Sequence, residues 1–153
     1  MINILKEQYA EALATRKTLK QREDVVTLQS LLGSRLTKII TGIRRSGKSS
    51  LCLEAIPSSE FSYVNFDDER FIGLKTSDLN KIYEALLEIQ PNSKYFLFDE
   101  IQNIEGWELF VNRLQRKKIN ILITGSNSKL LSRELASHLT GRHLTLKLMP
   151  LSF

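Results

Sequence analysis

The stretch Thr41-Gly42-Ile43-Arg44-Arg45-Ser46-Gly47-Lys48-Ser49, TGIRRSGKS, decides how the rest of the chain is read. Gly42, Gly47, Lys48 and Ser49 satisfy the pattern G-x-x-x-x-G-K-[ST]. Average residue frequencies would place that pattern by chance in a chain of this length roughly once in two hundred. Its context sharpens it. A short apolar run at 37–41 (TKIIT) reads as a strand just before it, and residues 48–56 read as a helix just after it. In such a strand-to-helix loop the backbone N–H groups point inward around a β-phosphate, helped by the positive end of the helix. The glycines let the backbone turn and approach closely. Gly42, Ile43, Arg44, Arg45, Ser46, Gly47, Lys48, Ser49 and Ser50 are therefore the expected nucleotide contacts. Lys48 reaches the β- and γ-phosphates, and the Ser49 hydroxyl ligates Mg²⁺. Arg44 and Arg45 occupy variable positions of the pattern. They are expected to project outward, adding positive potential or meeting a neighbouring subunit. The competing reading is a glycine-rich turn with an incidental lysine.

A phosphate loop needs a carboxylate near its metal. Tyr95-Phe96-Leu97-Phe98-Asp99-Glu100 supplies four apolar residues and then two acids, about fifty residues further on. Asp99 is the expected metal-shell residue. Glu100, one step beyond, points elsewhere at the strand tip and is the candidate general base for an attacking water. A buried strand meeting a polar loop is the alternative for the isolated motif. The interval leaves room for helix, strand and helix, so an extra strand lies between the two motif strands, as in the additional-strand, catalytic-glutamate division of P-loop folds. At the end of the run 120–124 (NILIT), Ser126 and Asn127 are candidates for sensing a γ-phosphate or for capping the next helix. Arg142, after Gly141, is either an arginine finger or a surface residue at a turn.

Apolar runs at 61–66, 94–98, 120–124 and 143–148 join 37–41 as strands, and helical patterns cover 3–20, 23–32, 48–56, 78–89, 107–117 and 127–139. Asp78 is the expected N-cap of 78–89, and Pro91 forbids its continuation. Alternating strands and helices make an α/β layered domain, and the unbroken apolar runs suit parallel strands buried on both faces. Residues 1–33 form an N-terminal helical segment and 34–153 the core.

The chain has 153 residues, 42% hydrophobic and 25% charged, the composition of one globular domain. No apolar run reaches the roughly 20 residues a membrane span needs, and no secretory signal is present. The single cysteine, Cys52, cannot form an internal disulfide, so a cytoplasmic setting is expected. The net charge of +5 permits a polyanion partner. No aromatic residues interleave with the basic ones as a stacking platform would require, which favours a solvated helix face plus a phosphate pocket.

The blocks GIRRSGKS, YVNFDDERF, FLFDEIQNIEGWELFVNRL, ITGSNSKLLSRELASHLTGR and LMPLSF, in that order, resemble the prokaryotic AAA-domain ATP-binding family, an AAA+-related, archaeal-type ATPase group near the STAND NTPases. The resemblance runs from about Val25 onward. It implies a three-layer domain with a parallel sheet in the order 5-1-4-3-2. It marks Gly42, Gly47, Lys48 and Ser49 as the Walker A site and Asp99 with Glu100 as Walker B. It raises the sensor reading of Ser126 and Asn127 and the finger reading of Arg142, in its own or a neighbouring subunit. It also marks Asp67 and Asp68, Gln102, and Trp107 as a packing anchor. Members run on past PLSF into a C-terminal region, so this chain is expected to be the ATPase core of a longer protein that acts on DNA or on a partner protein.

The function that follows is binding of ATP and Mg²⁺ with hydrolysis to ADP and phosphate, with a homo-oligomer or another protein as possible completion of the site. The alternatives are a nucleotide-dependent switch with negligible turnover, or an inactive remnant. A small-molecule kinase is disfavoured by the extra strand and by the want of an arginine-rich lid.

Overall fold

The computed structural model describes residues 1–18, 23–42, 47–57, 59–126 and 143–148. Five strands form one sheet: β1 (Thr37–Thr41), β2 (Phe61–Asn65), β3 (Tyr95–Asp99), β4 (Ile121–Gly125) and β5 (His143–Lys147). Around them run α1 (Ile2–Thr18), α2 (Glu23–Leu31), α3 (Lys48–Ala55), α4 (Thr76–Ile89) and α5 (Trp107–Arg116). The strand order is β2-β3-β4-β1-β5, and every pair is parallel. That is the expected 5-1-4-3-2 order read from the other edge, with β4 between the two motif strands.

Side-chain alternation along the strands sorts the core onto two faces. Ile39, Val64, Phe96, Phe98, Ile121 and Ile123 pack with Leu79, Ile82 and Leu86 of α4 and Phe110, Val111 and Leu114 of α5. Ile40, Phe61, Leu97 and Leu122 pack with Val25 and Leu28 of α2 and Leu51, Cys52 and Ala55 of α3. The helix α1 straddles the sheet edge: Leu5 joins the first cluster and Ala12 the second. Among the described residues no helix is long and apolar enough to cross a membrane.

Four strands end differently from the apolar runs. β2 stops at Asn65 rather than 66, β3 covers 95–99 rather than 94–98, and β4 covers 121–125 rather than 120–124. The run 143–148 likewise gives a strand only to Lys147. Apolar patterning marks where side chains are buried, whereas the ladder ends where pairing ends. Asn65 pairs with Asp99, which draws an acid into the strand. Asp78 is not the N-cap of α4. The helix starts at Thr76 and Asp78 is its third residue, accepting the Lys75 N–H at 2.9 Å through Oδ2. A carboxylate caps from there as well as from the N-cap position, by reaching back to the preceding turn. The expected helix over 127–139 lies outside the described residues.

Trp107 opens α5 with 1% of its surface exposed, deep in the α4–α5 core. The residue before it, Gly106, has φ +79°, and a Cβ there would meet Thr76 Oγ1 at 2.3 Å. That hydroxyl donates to the Glu105 carbonyl, tying the start of α4 to the start of α5. Gly106→Ala should therefore cost at least about 1 kcal/mol, from the left-handed backbone alone. Thermal unfolding should show a fall of about 2–4 °C or more; an unchanged midpoint would mean that the loop has no such constraint.

Candidate functional site

The C-terminal tips of β1, β3, β4 and β2 converge on the first turn of α3. Gly47 precedes that helix at φ +87°, ψ +24°, a left-handed conformation that glycine adopts without steric cost. The N–H groups of the first turn have no partner within the helix and so offer donors to an anion. They open onto a cavity of about 350 Å³ lined by Gly47, Lys48, Ser49, Ser50, Asn65, Asp67, Asp99 and Glu100.

Lys48 is 5% exposed. Its Nζ donates to the Gly42 carbonyl at 3.2 Å and lies 3.7 Å from Glu100 Oε1. Ser49 Oγ donates to Asp99 Oδ2 at 2.5 Å. The rest of the Asp99 carboxylate is tightly held. Tyr63 Oη donates to Oδ2 at 2.8 Å, and Thr124 Oγ1 donates to Oδ1. Tyr63, Asp99 and Thr124 come from three neighbouring strands, β2, β3 and β4, and face α3. Burial, together with the Asp99 charge beside it, pushes the Tyr63 phenol far above its ordinary pKa, so it remains a donor. Burial, with the Asp99 charge adding to it, likewise raises the pKa of the Cys52 thiol.

Glu100 leaves the strand through a left-handed residue, φ +56°, ψ +43°. Its N–H donates to Thr124 Oγ1 at 3.0 Å, so one threonine braces both acids. Its carboxylate has different partners from that of Asp99. Oε1 accepts from Ser126 Oγ at 2.8 Å, and Oε2 accepts from Gln102 Nε2 at 2.6 Å. Gln102 Oε1 is buried with no hydrogen-bond partner among the described residues.

The structure thus brings together Gly47, Lys48, Ser49, Ser50, Asp99 and Glu100 around one cavity, with Ser126 bonded to Glu100 and the Gly42 carbonyl bonded to Lys48. Asp67 lines the cavity too. Asp68 does not: it caps the 3₁₀ turn Glu69–Phe71 and is held by Arg70, whose hydrogen bonds keep its carboxyl well below the usual range. Ile43, Arg44, Arg45, Ser46, Asn127 and Arg142 lie outside the described residues. Sequence reasoning missed Tyr63 and Thr124. Within FSYVNF the tyrosine reads as one more strand aromatic. Thr124 carried a weak signal, as the last side chain of a strand expected beside the metal-binding acid.

A family model described as an AAA domain matches residues 34–153. The chain is 44% identical over 119 residues to an uncharacterized protein of Methanocaldococcus jannaschii, covering 76% of this chain and 27% of that protein. It is 41% identical over 128 residues to an uncharacterized protein of Haemophilus influenzae, covering 76% of this chain and 32% of that one. It therefore spans about a quarter to a third of the length of these relatives. Among solved structures, the Walker-type ATPase of Pyrococcus abyssi superposes with a TM-score of 0.67 at 17% identity, over 90% of this chain and 55% of that one. The ORC1 protein of Aeropyrum pernix, solved in complex with DNA, superposes with a TM-score of 0.55 at 18% identity, over 89% and 46%. These two likenesses establish a shared fold. Together with the family match over the phosphate loop and the acidic strand tip, they mean that the chain belongs to the AAA domain family of P-loop ATPases.

Proposed function

We propose that this chain binds ATP with Mg²⁺ in the cavity between α3 and the tip of β3, and hydrolyses it to ADP and phosphate. The convergence of Lys48, Ser49, Asp99 and Glu100 on that cavity carries the reading. Backbone N–H groups at the start of α3 and the Lys48 ammonium take the phosphates. Ser49 Oγ and Asp99 Oδ2, 2.5 Å apart, are two hard oxygen donors at one point. Among the described residues no group of three or more His, Cys, Asp or Glu side chains could cage a metal. A hydroxyl with one carboxylate suits Mg²⁺, which keeps several waters and few protein ligands, and the ion would supply charge neutralisation on the phosphate oxygens.

Glu100 is the group that takes the proton. Water attacks the γ-phosphorus, the bond from that phosphorus to the β–γ bridging oxygen breaks, and ADP leaves with the bond electrons. Glu100 accepts a proton from the water. Ser126 and Gln102 each occupy one of its oxygens but leave lone pairs open, so they aim the carboxylate without silencing it. Asn127 and Arg142 are proposed to complete the γ-phosphate side, the arginine from its own or a neighbouring subunit. Since the matched region makes up only about a quarter to a third of each relative, the chain acts as the ATPase core of a larger protein working on DNA or on a protein partner.

The assay is phosphate release from ATP by the purified chain. Turnover is expected with Mg²⁺, should vanish with EDTA and should return when Mg²⁺ is restored. Failure to bind ATP in the presence of Mg²⁺ would sink the proposal. The engagement of both Glu100 oxygens also favours a second reading, a switch that holds ATP with negligible turnover. Single-turnover kinetics separate the two: the switch reading predicts bound ATP that persists uncut for many minutes.

A further inference from the structure

The nucleotide site has a support outside the region the family model covers. β2 is an edge strand, with β3 on one side only. At its tip the open side is filled by a side chain. Gln8 of α1 is 3% exposed, and its carboxamide forms both bonds that a neighbouring strand would form. The Asn65 N–H donates to Gln8 Oε1 at 3.0 Å, and Gln8 Nε2 donates to the Asn65 carbonyl at 3.1 Å. The same Nε2 donates to Asp68 Oδ2 at 3.1 Å. The preceding residue, Glu7, accepts from Arg70, which in turn grips Asp68 through Nε and Nη2.

Two adjoining residues of α1 thus clamp the chain at Asn65 and again at Asp68. The segment between them lines the phosphate cavity through Asn65 and Asp67, and the Asp67 N–H donates to Asn65 Oδ1 at 2.9 Å. A second cavity of about 190 Å³ lies under α1, and Ser49, Ser50 and Asn65 line both. The β2 tip is therefore a thin wall with the phosphate site on one side and α1 on the other.

We infer that Gln8 is a positioning residue of the nucleotide site: through the Asn65 backbone and Asp68 it fixes the wall of the cavity that faces Lys48 and Glu100. This rests on the hydrolytic reading of that cavity. Phosphate affinity resides on the α3 side, so loss of the clamp should slow the chemical step more than it weakens binding. A displacement of about 1 Å at a reacting centre costs up to about a hundredfold in rate.

The test uses the whole chain as Gln8→Ala and Gln8→Glu. The glutamate keeps the shape and the acceptor for the Asn65 N–H, but it loses the donor and faces the Asp68 carboxylate. In both variants kcat should fall about tenfold, with KM for ATP changed less than about threefold. Amide exchange should accelerate at Asn65–Arg70 and stay unchanged in β4. A wild-type kcat at a temperature where the variants are folded overturns the inference, as does unaltered exchange at Asn65–Arg70. A purely structural role would lower the melting temperature and leave kcat and KM as they were. If the wild-type chain binds ATP without turnover, the hydrolytic reading alone falls. ATP should then protect Asn65–Asp67 from exchange less well in the variants, and equal protection overturns the inference. If the wild-type chain binds no ATP, both fall together.

Discussion

Glu100→Gln is expected to hold ATP within about threefold of the wild-type affinity and to lose about 10²–10⁴ in kcat, the range for removal of a general base. The amide is isosteric, so the contacts with Ser126 and the bond from the Glu100 N–H to Thr124 are expected to persist. What disappears is the basic oxygen. One compensation sharpens the expectation. Lys48 Nζ lies 3.7 Å from Glu100 Oε1, so the new amide keeps its oxygen toward Lys48 and Ser126 and turns its NH₂ toward Gln102, whose own amide can turn its Oε1, otherwise unpartnered among the described residues, to accept it. Folding is then little disturbed. Isothermal titration with ATP and a single-turnover measurement check the two halves separately. Unimpaired turnover would remove Glu100 from the chemistry.

Lys48→Ala should abolish useful binding, with affinity for ATP lowered by at least about a hundredfold. A hydrogen bond to a charged group contributes about 1.5–3 kcal/mol, and an ammonium spanning two phosphates makes at least two of them. The residue is 5% exposed, so its charge works in a region from which water is largely excluded. In the protein alone Lys48 donates to the Gly42 carbonyl and faces Glu100. Its removal leaves a carboxylate without its nearest cation among the described contacts, and this further disfavours the approach of a polyanion. Titration calorimetry reads the effect directly. An affinity within tenfold of wild type would mean that the phosphates sit elsewhere.

Much of this was legible in the sequence for one reason. The residues that define the fold and the residues expected to act on phosphate are the same short motifs. TKIIT before TGIRRSGKS and YFLF before Asp99 identify two parallel strands and also fix which ends of them meet the ligand. The interval between the motifs called for a strand within it, and Phe61–Asn65 supplies one between α3 and α4, but it lies at the sheet edge; the strand inserted between the two motif strands is β4, which follows both motifs in the chain. The strand ends were less legible because hydropathy does not report pairing: Asp99 belongs to the ladder despite its charge. Asp78 shows the same limit on a helix. Its carboxylate was recognisable as a cap, but whether it reaches back from the first or the third position depends on the path of the loop from Phe71 to Lys75.

The supporting shell was illegible for a different reason. Tyr63, Thr124 and Gln8 matter through partners 36, 25 and 57 positions away, and no local period encodes such pairings. Gln8 in particular sits in an ordinary polar stretch of helix, where a glutamine signals nothing. Only the placement of α1 across the end of β2 gives that amide its two backbone partners.

The left-handed backbone at Glu100 has a consequence for how such a chain drifts over generations. An L-residue other than glycine held in that conformation costs roughly 1–2 kcal/mol, so folding by itself would favour glycine at position 100. On the role proposed for Glu100, selection for stability and selection for turnover pull in opposite directions at this position. A lineage relieved of the need to turn over nucleotide would be drawn to relax its backbone there early. On that proposal, retention of the acid in a sequence with this same strand tip would mark a lineage still under the second pressure.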